Sequence, residues 1–169
     1  MASQATRRRI LNDVRRRIDE FGWAVQTVGA CCSVPGCRGG DPGEAEFGYT
    51  VGLTRYDGHP ELIITGVAQM ETGHPLNLLG ERVRAGERFA HGDVVHGIAA
   101  DRPVRLLAVD PRASVEYLIH ANALYRCPGR PPVPALQVAW PDCGGRYPWD
   151  AGCHVADLQP LLGSPAMEV

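Results

Sequence analysis

The chain has 169 residues, of which 44% are hydrophobic, and its formal net charge is −2. This length and composition are typical of one globular domain, and no run of about 18 apolar residues is present that could span a bilayer. The charge offers no general attraction to phosphate backbones, which require a concentrated basic field. We therefore expect neither a nucleic acid nor a membrane as the partner.

Every one of the 17 basic residues is an arginine, and the chain contains no lysine. Schiff-base catalysis, attachment of pyridoxal phosphate and the phosphate-binding lysine of a P-loop all require an amine that only the N-terminus could supply. No GxGxxG motif opens a helix after a strand, which argues against a dinucleotide site. The sequence thus excludes pyridoxal phosphate as a cofactor and a P-loop nucleotide site.

The first predicted element is an arginine-rich amphipathic helix over residues 1–21. Its arginines form a solvated face, and Gly22 ends it. Its apolar residues recur at helical spacing and predict one buried face: Ile10, Leu11, Val14, Ile18 and Phe21.

The rest of the chain reads as strands and helices with short connections. Strands are predicted over residues 23–28, 47–53, 62–67, 94–98, 104–109 and 136–140. A helix over 76–86 follows the third strand, and Asp110-Pro111 opens another that extends to Tyr125. Short connections favour antiparallel neighbours. The prediction is one α+β domain spanning 1–169, with a core over 22–163, a tail over 164–169, about three helices on one side, and a mainly antiparallel, barrel-like sheet.

Three segments have an unusually specific residue order: FGYTVGL at 47–53, HPELIITG at 59–66 and PALQVAWPDCGGRYPW at 134–149. Together with the LN-x-L pattern in the second helix, they resemble a bacterial family known as domain of unknown function 4262. The resemblance covers residues 21–163. It implies a shared fold but no activity, because the family name carries none.

Polar residues on these shared segments are the candidates for a functional site. His59 lies in a turn before a strand, and Asp142 follows the last strand. If folding brought them together, they could supply a base and an acid beside a small polar or anionic ligand. The expected ligand-binding residues are Tyr49, Thr50, Glu61, Trp140, Arg146 and Trp149.

Two classes of function stay open at this point. One is a small enzyme that uses His59 and Asp142 for proton transfer. The other is a non-catalytic binding or regulatory module, in which the WPD segment shapes a ligand cavity or a partner surface. In both, Asp142 and Arg146 could equally form a turn-stabilising pair, and the tryptophans could belong to the core. A homo-oligomer is compatible with either class.

Six cysteines are many for a chain of this size. The N-terminus lacks the apolar region of an export signal, so we expect a cytoplasmic, reducing location, where clustered thiols favour metal over disulfides. There is no CxxC pair, which weakens the case for zinc. The candidate zinc ligands are Cys31, Cys32, Cys37, Cys143, Cys153 and His154.

A remote alternative is a cysteine-dependent phosphatase. Cys32 and Arg38 have the C-x5-R spacing of a phosphate-binding loop that follows a strand, with Asp142 as the acid. Against this alternative, Arg38 leads into a Gly/Pro/Asp segment instead of the helix that should help to hold the anion.

Overall fold

The computed structural model describes residues 4–29, 46–68, 71–99 and 102–165. Within these ranges the chain forms four α-helices and six β-strands. The helices are α1 (Gln4–Phe21), α2 (Gly73–Arg84), α3 (Pro111–Tyr117) and α4 (Ile119–Tyr125). The strands are β1 (Ala24–Val28), β2 (Phe47–Val51), β3 (Glu61–Thr65), β4 (Val94–Val95), β5 (Val104–Ala108) and β6 (Ala135–Ala139).

The arginine-rich helix is confirmed as α1. It buries Val14 and Ile18, whereas Ile10 and Leu11 are half-buried and Phe21, which was predicted to be buried, is exposed. It ends at Phe21, where the N–H of Gly22 donates to the carbonyl of Ile18 at 2.9 Å and Gly22 adopts a φ of 100°. A glycine is favoured there because a positive φ costs it no steric clash. Of the helices that the structure describes, none has the length and apolar character needed to cross a membrane.

The six described strands form one open sheet in the order β1-β2-β3-β6-β5-β4. Four of the five neighbouring pairs are antiparallel, whereas the central pair, β3 and β6, is parallel. The prediction of a barrel is wrong, because β1 and β4 end the sheet at opposite edges. The α+β class is confirmed.

The predicted helix after Asp110 is two helices instead of one. At Leu118 the backbone turns to φ −93° and ψ 52°, so that α3 ends and α4 begins. The side-chain amide of Asn122 donates to the carbonyl of Ser114 at 2.9 Å, and its oxygen accepts the N–H of Val133 at 3.0 Å. Asn122 thereby links the junction of α3 and α4 to the segment that leads into β6. The described residues therefore contain four helices, where about three were predicted.

The helices cover both faces of the sheet instead of one, which corrects the predicted arrangement. On one face α2 packs over Leu62 and Ile64 of β3. On the other face α1, α3 and α4 pack over Ile63 of the same strand. Alternate residues of a strand point to opposite faces, and β3 is apolar toward both. The two central strands are consequently buried along their whole length.

The segment after residue 156 is attached to the sheet by two buried glutamines. The amide of Gln137, in β6, donates to the carbonyl of Pro160 at 2.8 Å, and its oxygen accepts the N–H of Leu162 at 2.8 Å. The side chain of Gln159 bonds both main-chain groups of Trp140, at 3.1 and 2.7 Å. The segment thereby holds the end of β6 in place.

Candidate functional site

A cleft of about 480 Å³ opens at the carboxyl ends of the parallel strands β3 and β6. Adjacent parallel strands deliver the loops that follow them to the same edge of the sheet, as in many α/β ligand sites. We call this cavity the WPD-end cleft. The described residues that line it are Ile64, Gly66, Val67, Ala68, Glu71, Pro75, Ile98, Ala99, Arg102, Val104, Trp140, Pro141, Asp142 and Cys143.

The indole of Trp140 forms a fixed wall of the cleft. Its Nε1–H donates to the carbonyl of Thr65 at 3.0 Å, which ties the residue after β6 to the last residue of β3. Gln159 bonds its main-chain N–H and carbonyl. The indole is thus pre-oriented before any ligand arrives, which reduces the ordering cost of binding. Trp140 is a predicted ligand-binding residue that lies in the cleft.

Asp142 holds the loop at the rim of the cleft. Its Oδ1 accepts the backbone N–H groups of Gly144 at 2.8 Å and Arg146 at 2.9 Å, and its Oδ2 accepts that of His154 at 3.1 Å. These hydrogen bonds lower the pKa of Asp142 below its usual range, and the bond from the N–H of Arg146 has the largest effect. The carboxylate therefore stays ionised at neutral pH and stabilises the turn.

Two charged residues that the sequence did not indicate, Arg102 and Glu71, lie at the cleft. Both side chains are exposed, and Nη2 of Arg102 donates to the carbonyl of Cys143 at 2.7 Å. Arg102 precedes β5 and Cys143 follows β6, so they meet because these strands are neighbours in the sheet. No local pattern could have indicated this contact.

His59 lies at the other end of the sheet from Asp142. It precedes β3 whereas Asp142 follows β6, and because these strands run parallel, their full length of about 16 Å separates the two groups. The predicted convergence of His59 and Asp142 in one cavity is therefore wrong.

Both ring nitrogens of His59 are occupied within the fold. Nδ1 donates to the carbonyl of Pro60 at 2.7 Å, and Nε2 accepts the N–H of Phe89 at 3.1 Å. Burial lowers the pKa of His59, and the nearby Arg88 lowers it further. A buried, neutral imidazole with both nitrogens bonded supports the turn at this position.

Glu61, two residues after His59, forms a buried hydrogen-bond network with Thr50 of β2. Oε2 of Glu61 accepts the hydroxyl of Thr50 at 2.7 Å, and its two oxygens accept the N–H groups of Gly52 and Leu53 at 2.7 and 3.3 Å. Thr50 in turn accepts the N–H of Leu62 at 2.9 Å. Burial raises the pKa of Glu61 to about 7, although these donors lower it. The carboxylate holds the turn after β2 against β3.

The side chain of Tyr49 lies on the face of the sheet that α1, α3 and α4 cover, opposite the face that α2 covers. Its hydroxyl lies 2.8 Å from Nδ1 of His120 and accepts the N–H of that residue at 3.3 Å. Donation of the hydroxyl proton to Nδ1 requires a neutral imidazole that carries its own proton on Nε2. Burial raises the pKa of Tyr49 to about 12. This contact joins β2 to α4 and lies away from the WPD-end cleft.

Arg146 and Trp149 follow Asp142 but do not line the cleft. Nη1 of Arg146 donates to the carbonyl of Gly152 at 2.8 Å. Trp149 stacks on Tyr147 with 5.0 Å between ring centroids and an interplanar angle of 7°. Both residues pack within the loop over 142–154, so of the predicted ligand-binding residues only Trp140 borders this cavity.

Only three of the six predicted zinc ligands, Cys143, Cys153 and His154, lie among the described residues. Cys143 is exposed, and the thiol of Cys153 lies 3.2 Å from the carbonyl of Arg146. His154 is exposed and uses its backbone N–H on Asp142. In the described part of the chain, no three His, Cys, Asp or Glu side chains are grouped to hold a metal ion. Cys31, Cys32 and Cys37 lie outside the described residues, so the hypothesis stays a prediction.

The phosphatase alternative names three residues, and two of them, Cys32 and Arg38, lie outside the described residues. The third member, Asp142, accepts three backbone N–H bonds and has a lowered pKa, whereas a general acid requires a carboxyl that keeps its proton near neutral pH. The geometry of Asp142 therefore gives this alternative no support.

Comparison with known proteins identifies the family. A family model described as "Domain of unknown function (DUF4262)" matches residues 17–154. The chain belongs to this family. No curated protein and no solved structure matches it.

Proposed function

We propose that this DUF4262 chain binds a small, partly apolar molecule with a polar or anionic group in the WPD-end cleft, without chemical turnover. The observation that carries the proposal is the cleft itself, with an apolar wall and Arg102 at its rim. Its volume of about 480 Å³ falls within the usual range for ligand sites. Such sites combine apolar walls with a few polar groups that fix orientation, and this cleft has that character.

The side chains support a division of roles within the cleft. Trp140, Ile64 and Ile98 would pack against the apolar part of the ligand. Nη2 of Arg102 donates to the carbonyl of Cys143, and the other N–H groups of this guanidinium could bind a carboxylate or phosphate. Glu71 at the same cleft would disfavour a second anionic group on the ligand. The preferred ligand is then a monoanion or a polar neutral molecule.

Binding without turnover is favoured by the state of the titratable groups. Among the described residues of the cleft, the one buried carboxylate is Asp142, and its oxygens already accept three backbone N–H bonds. His59, the proposed catalytic base, lies at the other end of the sheet. Acid–base catalysis by this pair therefore has no geometric support.

A fragment library of small carboxylates, with neutral amide counterparts, tests the proposal by NMR. We expect fragments to shift the indole N–H signal of Trp140 and to leave that of Trp23 unchanged. Ala99→Trp should fill the cleft and abolish the shifts, whereas Ala123→Trp, on an exposed face of α4, should not. Arg102→Gln should weaken carboxylates about tenfold and spare the amides.

Two results would contradict the proposal. One is a library in which no fragment shifts the indole of Trp140. The other is a set of fragments that bind Ala99→Trp as well as the wild type, which would place them elsewhere. Turnover of a bound fragment, followed by product formation over time, would replace binding with catalysis as the function.

A further inference from the structure

A second cavity, of about 420 Å³, opens at the end of the sheet opposite the WPD-end cleft. It adjoins Pro134, which precedes β6, and Thr54, which lies in the 3₁₀ turn after β2. We call it the arginine pocket. Its described lining includes Arg55, Arg126 and Arg130.

A tight turn brings two of the arginines to the same rim. The N–H of Arg130 donates to the carbonyl of Cys127 at 3.1 Å, and Gly129 has a φ of 73°. Proline followed by a glycine with positive φ is the signature of a type II turn. The turn reverses the chain, and Nε of Arg126 lies 3.5 Å from the carbonyl of Arg130. The positions of both arginines are therefore set by local backbone geometry.

The arginine pocket has positive charge that its own lining does not neutralise. Its described lining includes three arginines and no aspartate or glutamate. Nη1 of Arg55 lies 3.5 Å from Oδ1 of Asp19, a residue that does not line the pocket. The ion pairs of the described residues include neither Arg126 nor Arg130. Guanidinium groups bind carboxylates and phosphates through paired N–H bonds. The charge of the pocket thus fits an anion.

The remaining walls are flat and apolar. Tyr125 and Val133 contribute an aromatic and an aliphatic surface, and three prolines add their rings to the lining. Proline rings fix the backbone, so these walls are formed before a ligand arrives. A bare inorganic anion would leave these surfaces unused. A ligand with a flat apolar body would contact them.

We propose that the arginine pocket is a second ligand site, which binds an organic anion composed of a carboxylate or phosphate group on a flat apolar body. Arg126 and Arg130 bind the anionic group, and Tyr125 with the prolines contacts the body. This site is separate from the WPD-end cleft, because the two cavities lie at opposite ends of β3 and β6.

Phenyl phosphate and benzoate are suitable probes for this site. We expect at least one of them to shift the backbone amide signals of Gly129 and Arg130, with millimolar or tighter affinity. Phenol lacks the charge and inorganic phosphate lacks the ring, so each should bind more weakly. The double variant Arg126→Gln/Arg130→Gln should weaken binding by about tenfold or more, because charge-assisted hydrogen bonds are lost.

The double variant Arg8→Gln/Arg112→Gln is the matched control. It removes the same charge from exposed helix positions outside the pocket and should leave the affinity within about twofold of the wild type. Equal losses in the two double variants would show a nonspecific charge effect and overturn the proposal. Failure of both probes to shift the turn amides, shifts centred on the indole of Trp140, or equal binding of phenol would also overturn it.

Discussion

At the scale of single residues, the two described acids that are buried, Glu61 and Asp142, accept hydrogen bonds from backbone N–H groups. Asp142 accepts three of them around the loop after β6. Glu61 accepts those of Gly52 and Leu53 together with the Thr50 hydroxyl. Their environments differ, since Glu61 is wholly buried and its pKa is raised, whereas hydrogen bonds lower the pKa of Asp142. Both carboxylates are explained by the turns that they stabilise.

The raised pKa of Glu61 predicts how stability changes with pH. Between its ordinary value of 4.5 and its folded value of about 7, the folded state keeps a proton that the unfolded chain releases. The contribution of Glu61 to the free energy of unfolding therefore falls as the pH rises through this window, by about 3 kcal/mol at most. It is constant above the window. Urea unfolding at pH steps from 5 to 8, on the order of half a unit apart, measures this change.

Glu61→Gln is the matched variant for this measurement. The pKa values of His59 and His120 are lowered, so these residues change stability with the opposite sign and are present in both proteins. The difference between wild type and Glu61→Gln isolates the carboxyl. The amide has one oxygen, so its NH₂ group must face either the N–H of Gly52 or that of Leu53, and we expect the variant to be less stable throughout. A pH-independent difference would contradict the raised pKa.

The hydrogen bonds of His59 differ from what its position in the sequence suggests. A histidine in a turn before a strand is a reasonable candidate for a catalytic base, because functional groups are common in such turns. Its nitrogens instead bond the carbonyl of Pro60 and the N–H of Phe89. A sequence pattern predicts where a residue lies along an element. It does not predict which backbone groups remain for the side chain to satisfy.

At the scale of elements, close packing of α2 against β1 explains the small residue in the middle of that helix. Gly80 is buried within α2, and the indole of Trp23 lies directly over it. Nε1 of Trp23 donates to Oδ1 of Asn77 at 3.0 Å, which fixes the ring. Arg84 stacks over the indole ring, with its guanidinium carbon 4.4 Å from the ring centroid. Trp23 therefore has little room to move.

This packing predicts that Gly80→Ala destabilises the protein. The new Cβ would lie 2.6 Å from two atoms of the Trp23 ring, so the helix or the indole must shift. Overpacking costs about 1–3 kcal/mol, which outweighs the gain of about 1 kcal/mol from the better helix former. We expect a lower denaturation midpoint in urea. A Cβ at Gly73 meets nothing within 4 Å, so Gly73→Ala should be neutral or stabilising.

At the scale of the whole molecule, the central parallel pair of strands separates two cavities. The carboxyl ends of β3 and β6 border the WPD-end cleft, and the chain preceding them leads to the arginine pocket. Between the two cavities lies a layer of fully buried residues. Each cavity is consequently bordered by its own loops, and ligands at the two sites would not contact each other.

This architecture predicts a gradient of amide hydrogen exchange across the sheet. The amides of Ile63 and Val138, in the buried central strands, should exchange only through global unfolding. Those of Val94 and Val95, in the two-residue edge strand β4, should exchange faster through local opening. Exchange followed by NMR across a urea series distinguishes the two mechanisms. Equal protection of β4 and the central strands would contradict this prediction.

The sequence alone determined most of the local structure and the family. Helical periodicity located α1 and α2, and runs of aromatic and β-branched residues located the six described strands. The specific segments at 47–53, 59–66 and 134–149 identified the family that the comparison confirms. The segment that contains Trp140 and Asp142 does border a cavity. Local patterns were sufficient for these conclusions.

Only the tertiary structure decided which residues meet. The parallel pairing of β3 with β6 depends on contacts between segments more than 70 positions apart, and it sends His59 and Asp142 to opposite ends of the sheet. The same strand order brings Arg102 to Cys143, and the fold places the local turn that carries Arg126 and Arg130 at the same cavity as Arg55. Strand order is set by how buried faces pack over the whole domain, so spacing along the chain does not encode it.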